Sequence, residues 1–247
     1  KIDLKSGKTT QAEALIRWFH PTRGFMPPDQ FVLIAEQTGK IHLLTSWVLV
    51  RACEIVRNWR DQGINTKLAI NLSVKDLADD TLPGRFTNLL NKYQLNAKDF
   101  IMEITESALM EDPAQALRVL NRLRDIKIDL SIDDFGTGYS SLEYLRELPV
   151  NEIKIDRSFI QNLAHNDNDK IIVKAAIDLA HGLGMKVTAE GVEDEETLTI
   201  LSELGCNTAQ GYFISKPVSE ISFEDFMNTN KYGNSVNHGV DTKNLDY

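Results

Sequence analysis

Ile126-Lys127-Ile128-Asp129-Leu130-Ser131-Ile132-Asp133-Asp134-Phe135-Gly136-Thr137-Gly138-Tyr139 is a β-type apolar run that ends on two adjacent carboxylates and a glycine-hinged loop. Taken alone, such an Asp-Asp-x-Gly stretch is a solvated turn more often than not. At the end of a strand, two neighbouring aspartates pack poorly but make a good metal-binding corner. The theme recurs along the chain, where apolar runs repeatedly end in a carboxylate, an amide or an amine. Residues 67–73, 100–105, 129–133, 152–156, 186–190 and 208–212 read as strands. Between them, 84–93, 113–126, 140–148, 169–183 and 195–204 have amphipathic helical spacing. Upstream, 28–38 and 43–62 read as two helices with Gly39 as a stop, and 12–18 as a further strand.

Strands alternating with helices imply parallel βαβ units. In a closed parallel barrel the chemistry sits at the C-terminal ends of the strands. Here those ends carry Asn71, Glu103, Asp133, Lys154, Glu190 and Gln210. Period-two alternation turns Glu103 and Lys154 inward, while Met102, Ile104, Ile153 and Ile155 face the helices. An open doubly wound sheet is the alternative, but its crevice would not recruit a polar group from nearly every strand.

The length of 247 residues suits one large α/β barrel or two smaller domains. No apolar run approaches the roughly 18 residues of a membrane span, and the N-terminus has no signal-peptide pattern. The first residue is lysine rather than methionine, as expected of a piece of a longer protein. A formal charge of -9 argues against a sequence-independent nucleic-acid surface, so DNA is not an expected partner. Cys53 and Cys206 are expected to be buried thiols in a reducing cytoplasm, and the histidines lack the spacing of a zinc site. Residues 1–227 are expected to form the catalytic domain, and the polar, aperiodic stretch 228–247 a linker or disordered tail.

In the barrel reading Glu13, Glu103, Asp133, Asp134 and Glu190 converge on one mouth. Carboxylates so confined cannot all stay ionised without cations, because repulsion and desolvation raise their pKa values. Lys154 alone cannot neutralise them. Magnesium or manganese can, with the Asn71 amide oxygen as a further hard ligand. A pair of ions about 3.5–4 Å apart activates water and stabilises charge on phosphorus, which makes two-metal phosphoester hydrolysis the leading chemistry. A Schiff-base role for Lys154 is the rival, disfavoured because the carboxylates would keep the amine protonated. Plainer roles exist for others: Asn71 or Glu106 as caps, Arg17 as a rim salt bridge, Asp156 as a partner of Arg157, His20 as a loop histidine. Asp194-Glu195-Glu196 fits a helix N-terminus, and Trp18, Trp47 and Trp59 fit packing.

Glu13-Ala14-Leu15-Ile16-Arg17-Trp18 resembles the signature of EAL-domain cyclic di-GMP phosphodiesterases. The resemblance continues through Asn71-Leu72-Ser73, Glu103-Ile104-Thr105-Glu106, the loop 133–141, Lys154-Ile155-Asp156-Arg157, Ala189-Glu190-Gly191-Val192-Glu193 and Gln210-Gly211-Tyr212, in order. It implies a TIM-like (β/α)8 barrel with an irregular antiparallel first strand, and hydrolysis of cyclic di-GMP to linear pGpG with two Mg2+ or Mn2+ ions. Carried over by position, Glu13, Asn71, Glu103 and Asp133 would hold one metal. Asp133 and Asp134 would hold or bridge to the second, with Glu190 as ligand or water-orienting base and Lys154 on the water or the phosphate. Leu15, Arg17 and Asp156 would touch the ligand, Gln210 and Glu193 would support the site, and Glu106 would anchor the loop 135–139, which in this family links metal binding to dimerisation. A homodimer, upstream sensory domains and a cytoplasmic location, either free or as the cytoplasmic part of a membrane-anchored protein, are implied as well. The alternative on the same fold is a catalytically silent receptor or interaction module. One departure stands out: the strand that normally precedes the first motif is missing or reduced to Lys1-Ile2-Asp3-Leu4.

Overall fold

The computed structural model describes residues 1–138 and 142–229. Strands follow in the order β1 (Ile2–Asp3), β2 (Gln11–Ala14), β3 (Trp18–His20), β4 (Gly24–Met26), β5 (Lys67–Leu72), β6 (Phe100–Thr105), β7 (Asp129–Phe135), β8 (Glu152–Ile155), β9 (Lys186–Ala189) and β10 (Thr208–Ala209). Eight of them form one sheet in the order β1-β10-β9-β8-β7-β6-β5-β2, leaving β3 and β4 as a separate hairpin. All pairs from β2 round to β10 are parallel, and β1 alone is antiparallel, with Ile2 opposite Ala209. An Ile2–Thr9 bridge and the Thr10 N–H to Lys1 carbonyl bond (3.1 Å) join β1 back to β2. The sheet thus closes on itself as a TIM-like barrel. The reduced first strand suffices to close it.

Capping and periodicity agree most clearly in one helix of the outer layer. In the helix Pro113–Asp125, the Asp112 side chain accepts the Gln115 N–H, Pro113 occupies the first turn and Arg122 and Arg124 the last. Its buried residues Ala116, Val119, Leu120 and Leu123 lie on one face. They share one core with the outward side chains of the strands: Met102 and Ile104 on β6, Leu130 and Ile132 on β7 and Ile153 and Ile155 on β8 are all buried. Phe86 of the helix Leu82–Tyr93 packs edge-on against Phe100, with ring centroids 5.2 Å apart. The barrel interior is polar instead: Gln11, Glu103, Ser131, Glu152, Lys154, Thr188 and Thr208 are buried there.

Several expectations are corrected. The strand expected over 12–18 ends at Ala14, and Trp18 starts the hairpin, whose turn begins at Pro21 and whose second strand opens on Gly24 at φ 72°. His20 is the last residue of β3, its ring nitrogen accepting the Thr22 N–H at 3.2 Å. The strand expected over 208–212 stops at Ala209 because Gly211 lies against the Val192 backbone, where a Cβ would come within 2.1 Å of the Val192 oxygen. Trp59 is buried, but Trp47 is 55% exposed and Trp18 42%, so only Trp59 is a core residue. Cys53 and Cys206 are free and buried. The last described helix, Glu220–Thr229, docks on the helix Ile41–Asp61 through the Trp59–Phe223 ring pair and an Arg51–Glu220 ion pair of 2.8 Å. Residues 139–141 of the glycine loop and 230–247 of the expected tail lie outside the described residues.

Candidate active site

Lys154 is the hub of the barrel mouth. Its side chain is 1% exposed, and its ammonium lies 2.7 Å from Glu190 Oε1, 2.9 Å from Glu103 Oε2, 3.1 Å from Asp133 Oδ1 and 3.8 Å from Glu13 Oε2. Carboxylates from four strands or strand ends therefore converge on one cation carried by a fifth. Glu13 is held from two sides, its Oε1 accepting from Asn71 Nδ2 at 2.8 Å and its Oε2 from Gln210 Nε2 at 2.7 Å.

Asp133 and Asp134 would point to opposite faces in a regular strand. They do not, because β7 shifts register between Ile132 and Phe135 and Asp134 adopts φ 54°. This left-handed residue costs about 1–2 kcal/mol, which aspartate tolerates better than bulkier side chains. The bulge brings carboxylate oxygens of Asp133, Asp134 and Glu190 within 4.8 Å of one another. The Asp134 N–H donates to Asp133 Oδ1 at 3.0 Å, fixing the corner.

Behind the corner, Glu106 Oε2 accepts the N–H groups of Gly136 (3.0 Å) and Gly138 (3.3 Å). Gly138 has no room for a side chain: a Cβ would meet Glu106 Cδ at 2.9 Å. Leu15 and Arg17, both exposed, line a cavity of about 550 Å3 together with Asn71, Ser73, Thr105 and Glu111. Asp156 caps the short helix Arg157–Ile160 through the Ser158 N–H and lies close enough to Asp134 to influence its charge. Glu193 is exposed and accepts from Gln161 Nε2 at 3.4 Å, which places it at the rim and not among the carboxylates.

One residue escaped the sequence reading. The Lys1 ammonium is paired with Glu103 Oε1, with its side chain 1% exposed, so Glu103 is clasped between two amines. The signal was there, a lysine beside Ile2 in a strand-like start, but its meaning depends on β1 running antiparallel beside β10.

Protonation follows from burial and charge. Burial pushes the Glu190 carboxyl up to about 7, Lys154 opposing and Asp133 and Glu13 adding to the rise. Burial likewise raises Asp133 and, with help from Asp156, Asp134. For Glu103 burial acts upward, but Lys154 and Lys1 outweigh it and hold the carboxyl below its usual range. Burial would depress Lys154, yet Glu103, Glu13, Glu190 and Asp133 keep it well above the ordinary lysine value. The two amines leave Asp133, Asp134 and Glu190 under-neutralised. An all-oxygen donor set in that condition fits a hard divalent cation such as Mg2+ or Mn2+.

The sequence profile of the EAL domain family matches residues 1–217. Cyclic di-GMP phosphodiesterase PA2567 of Pseudomonas aeruginosa is 39% identical over 227 residues, covering 92% of this chain and 39% of that protein. The PaMucR phosphodiesterase, solved as a c-di-GMP complex, superposes with a TM-score of 0.85 at 41% identity, covering 90% of each chain. The FimX EAL domain from Pseudomonas aeruginosa, bound to c-di-GMP, gives 0.81 at 26% identity over 89% of this chain and 88% of that one. This chain spans less than two-fifths of the length of the curated relatives it matches first. It belongs to the EAL domain family. Among the described residues no helix is long and apolar enough to cross a membrane.

Proposed function

We propose that this EAL-domain chain is a metal-dependent phosphodiesterase that opens cyclic di-GMP to linear pGpG. The observation that carries the reading is the under-neutralised Asp133–Asp134–Glu190 corner beside Lys154, in a chain that aligns along 90% of its length with a phosphodiesterase solved with c-di-GMP. Two Mg2+ or Mn2+ ions, held by Glu13, Asn71, Glu103, Asp133, Asp134 and Glu190, would activate the attacking water and neutralise charge on the phosphoryl oxygens.

The chain's own groups do the rest. Arg17, exposed at the cavity wall with its guanidinium donating to the Ile16 carbonyl at 3.0 Å, would exchange that bond for a phosphate, and Leu15 nearby offers apolar contact to the nucleotide. The Glu190 carboxylate, 2.7 Å from the Lys154 ammonium and stripped of its proton once cations bind, would orient the attacking water or accept its proton. Water oxygen bonds to phosphorus and the bond from phosphorus to the ribose 3′-oxygen breaks. That oxygen leaves with a proton, and the 5′-phosphate of pGpG remains. The Lys154 ammonium, 2.7 Å from Glu190 Oε1, offers positive charge to the same centre. Gln210 and Asn71 keep both oxygens of Glu13 in place throughout.

The test is hydrolysis of cyclic di-GMP by the purified chain with Mg2+ or Mn2+, beside Glu13→Ala. Formation of pGpG, reduced by more than about 100-fold in the variant, is the expected result. Tight binding without turnover would move the assignment to a receptor on the same fold, and absence of both would sink it. The family likeness leads us to infer in addition a cytoplasmic homodimer, coupled through the Glu106-held loop and governed by sensory domains elsewhere in a longer protein. Sedimentation with and without ligand checks the dimer.

A further inference from the structure

We propose that Lys1 is a positioning residue of this site: from the antiparallel strand β1 it holds one oxygen of Glu103, so that the other faces the mouth. The proposal rests on the cation-binding reading above, not on the identity of the substrate.

Glu103 is fully buried, and its two oxygens have different partners, Lys1 Nζ on Oε1 and Lys154 Nζ on Oε2 at 2.9 Å. A buried carboxylate oxygen left without a donor is costly, so a neutral side chain at position 1 would set Glu103 searching for a second bond. Lys154 is the remaining amine in contact with it. Both oxygens would then turn onto Lys154, and the carboxylate would withdraw from the mouth. Lys1 prevents this by occupying Oε1 while Lys154 holds Oε2.

The placement depends on topology. Ile2 pairs with Ala209 in the antiparallel sense, so the residue before Ile2 runs toward Gln210. Gln210 is the residue that holds Glu13 Oε2 at 2.7 Å. The β1–β10 seam therefore supplies a clamp for each of two glutamates, an amide for Glu13 and an ammonium for Glu103. Below them lies a polar layer in which Gln11 Nε2 and Ser131 Oγ donate to Glu152 at 3.0 and 3.4 Å. Among the described residues Lys1 and Lys154 are the only side-chain amines in contact with Glu103; the Lys1 α-amino group instead donates to the Gln11 carbonyl at 2.8 Å.

The sign of the effect separates this role from plain charge repulsion. Removing a positive charge near a cation site would by Coulomb attraction alone tighten cation binding. Loss of a positioning contact to a ligand group weakens it, typically 10- to 100-fold. The experiment is calorimetric titration of the chain with Mn2+ in the absence of nucleotide, comparing Lys1→Met, Lys1→Gln and Lys1→Arg, with kcat and KM for cyclic di-GMP measured alongside. Expected are Mn2+ binding weakened by about tenfold in both neutral variants, recovery to within about threefold in Lys1→Arg, and KM changed by less than about twofold. Unchanged or tighter Mn2+ binding in a folded neutral variant overturns the proposal. So does failure of both neutral variants to fold, which would make Lys1 a folding requirement and nothing more. If the parent chain binds Mn2+ but does not hydrolyse cyclic di-GMP, the functional reading falls while the Lys1 titration still decides this one.

Discussion

Cation binding to this site should expel protons, by an amount the geometry fixes. The Glu190 carboxyl is pushed up to about 7 chiefly by burial, beside a Lys154 ammonium already shared among Glu103, Asp133 and Glu13. A metal ligand must be deprotonated, so binding converts whatever fraction is protonated. With a value of about 7, that fraction is about 0.9 at pH 6 and about 0.1 at pH 8, so Glu190 alone releases nearly one proton per site at the lower pH. Asp133 and Asp134, both raised by burial, add to the release at lower pH. Apparent Mn2+ affinity should correspondingly fall about tenfold, or about 1.4 kcal/mol, for each pH unit below 7. Without metal the same linkage acts on stability. A carboxyl raised in the folded state binds more protons there than in the unfolded chain between its ordinary value of 4.5 and about 7, so stability falls as pH rises through that window. The assay is calorimetric titration of metal-free chain with Mn2+ in two buffers of different ionisation enthalpy, at pH 6 and pH 8. A release below about 0.3 proton at pH 6, or one equal at both pH values, would refute the reasoning.

Further perturbations follow from single contacts. Lys154→Met leaves Glu103 buried beside one amine instead of two and strips Glu190 and Asp133 of their cation, so the metal-free fold should lose about 3–5 kcal/mol in urea unfolding, with partial recovery on adding Mn2+. Glu106→Gln halves the acceptor capacity facing Gly136 and Gly138, and each weakened charge-assisted bond is worth about 1.5–3 kcal/mol, so their amides should exchange at least tenfold faster by hydrogen–deuterium exchange while the core is unchanged. Gly191→Ala puts a Cβ 2.5 Å from Arg157 Cβ at φ 72° and should cost about 1–3 kcal/mol. Gly84→Ala, in a helix with open space around it, should instead gain about 1 kcal/mol in the same thermal-melt comparison.

The barrel was legible because strands such as β8 carry a period-two pattern and helices such as Pro113–Asp125 a cap and an apolar face, which are local properties. β6, read as 100–105, is the strand Phe100–Thr105 in the structure. Glu103 and Lys154 could be turned inward from their apolar neighbours alone. Boundaries failed where tertiary contact overrides local preference. β10 stops at Ala209 because Gly211 must lie on the Val192 backbone, and 18–20 leaves the sheet to form a hairpin with 24–26.

Residue types and spacing by themselves determined that carboxylates from β2, β6, β7 and the end of β9 belong to one acidic mouth with Lys154, since alternation along each strand and the order of motifs require no knowledge of distant contacts. Only the tertiary structure decided how that mouth is charged and aimed. The bulge that puts Asp133 and Asp134 on the same side arises from the β7–β8 register, and the second amine on Glu103 arrives because β1 runs antiparallel against β10. Both depend on which strand lies beside which, and register between strands far apart in sequence is set by closure of the barrel rather than by any local run of residues.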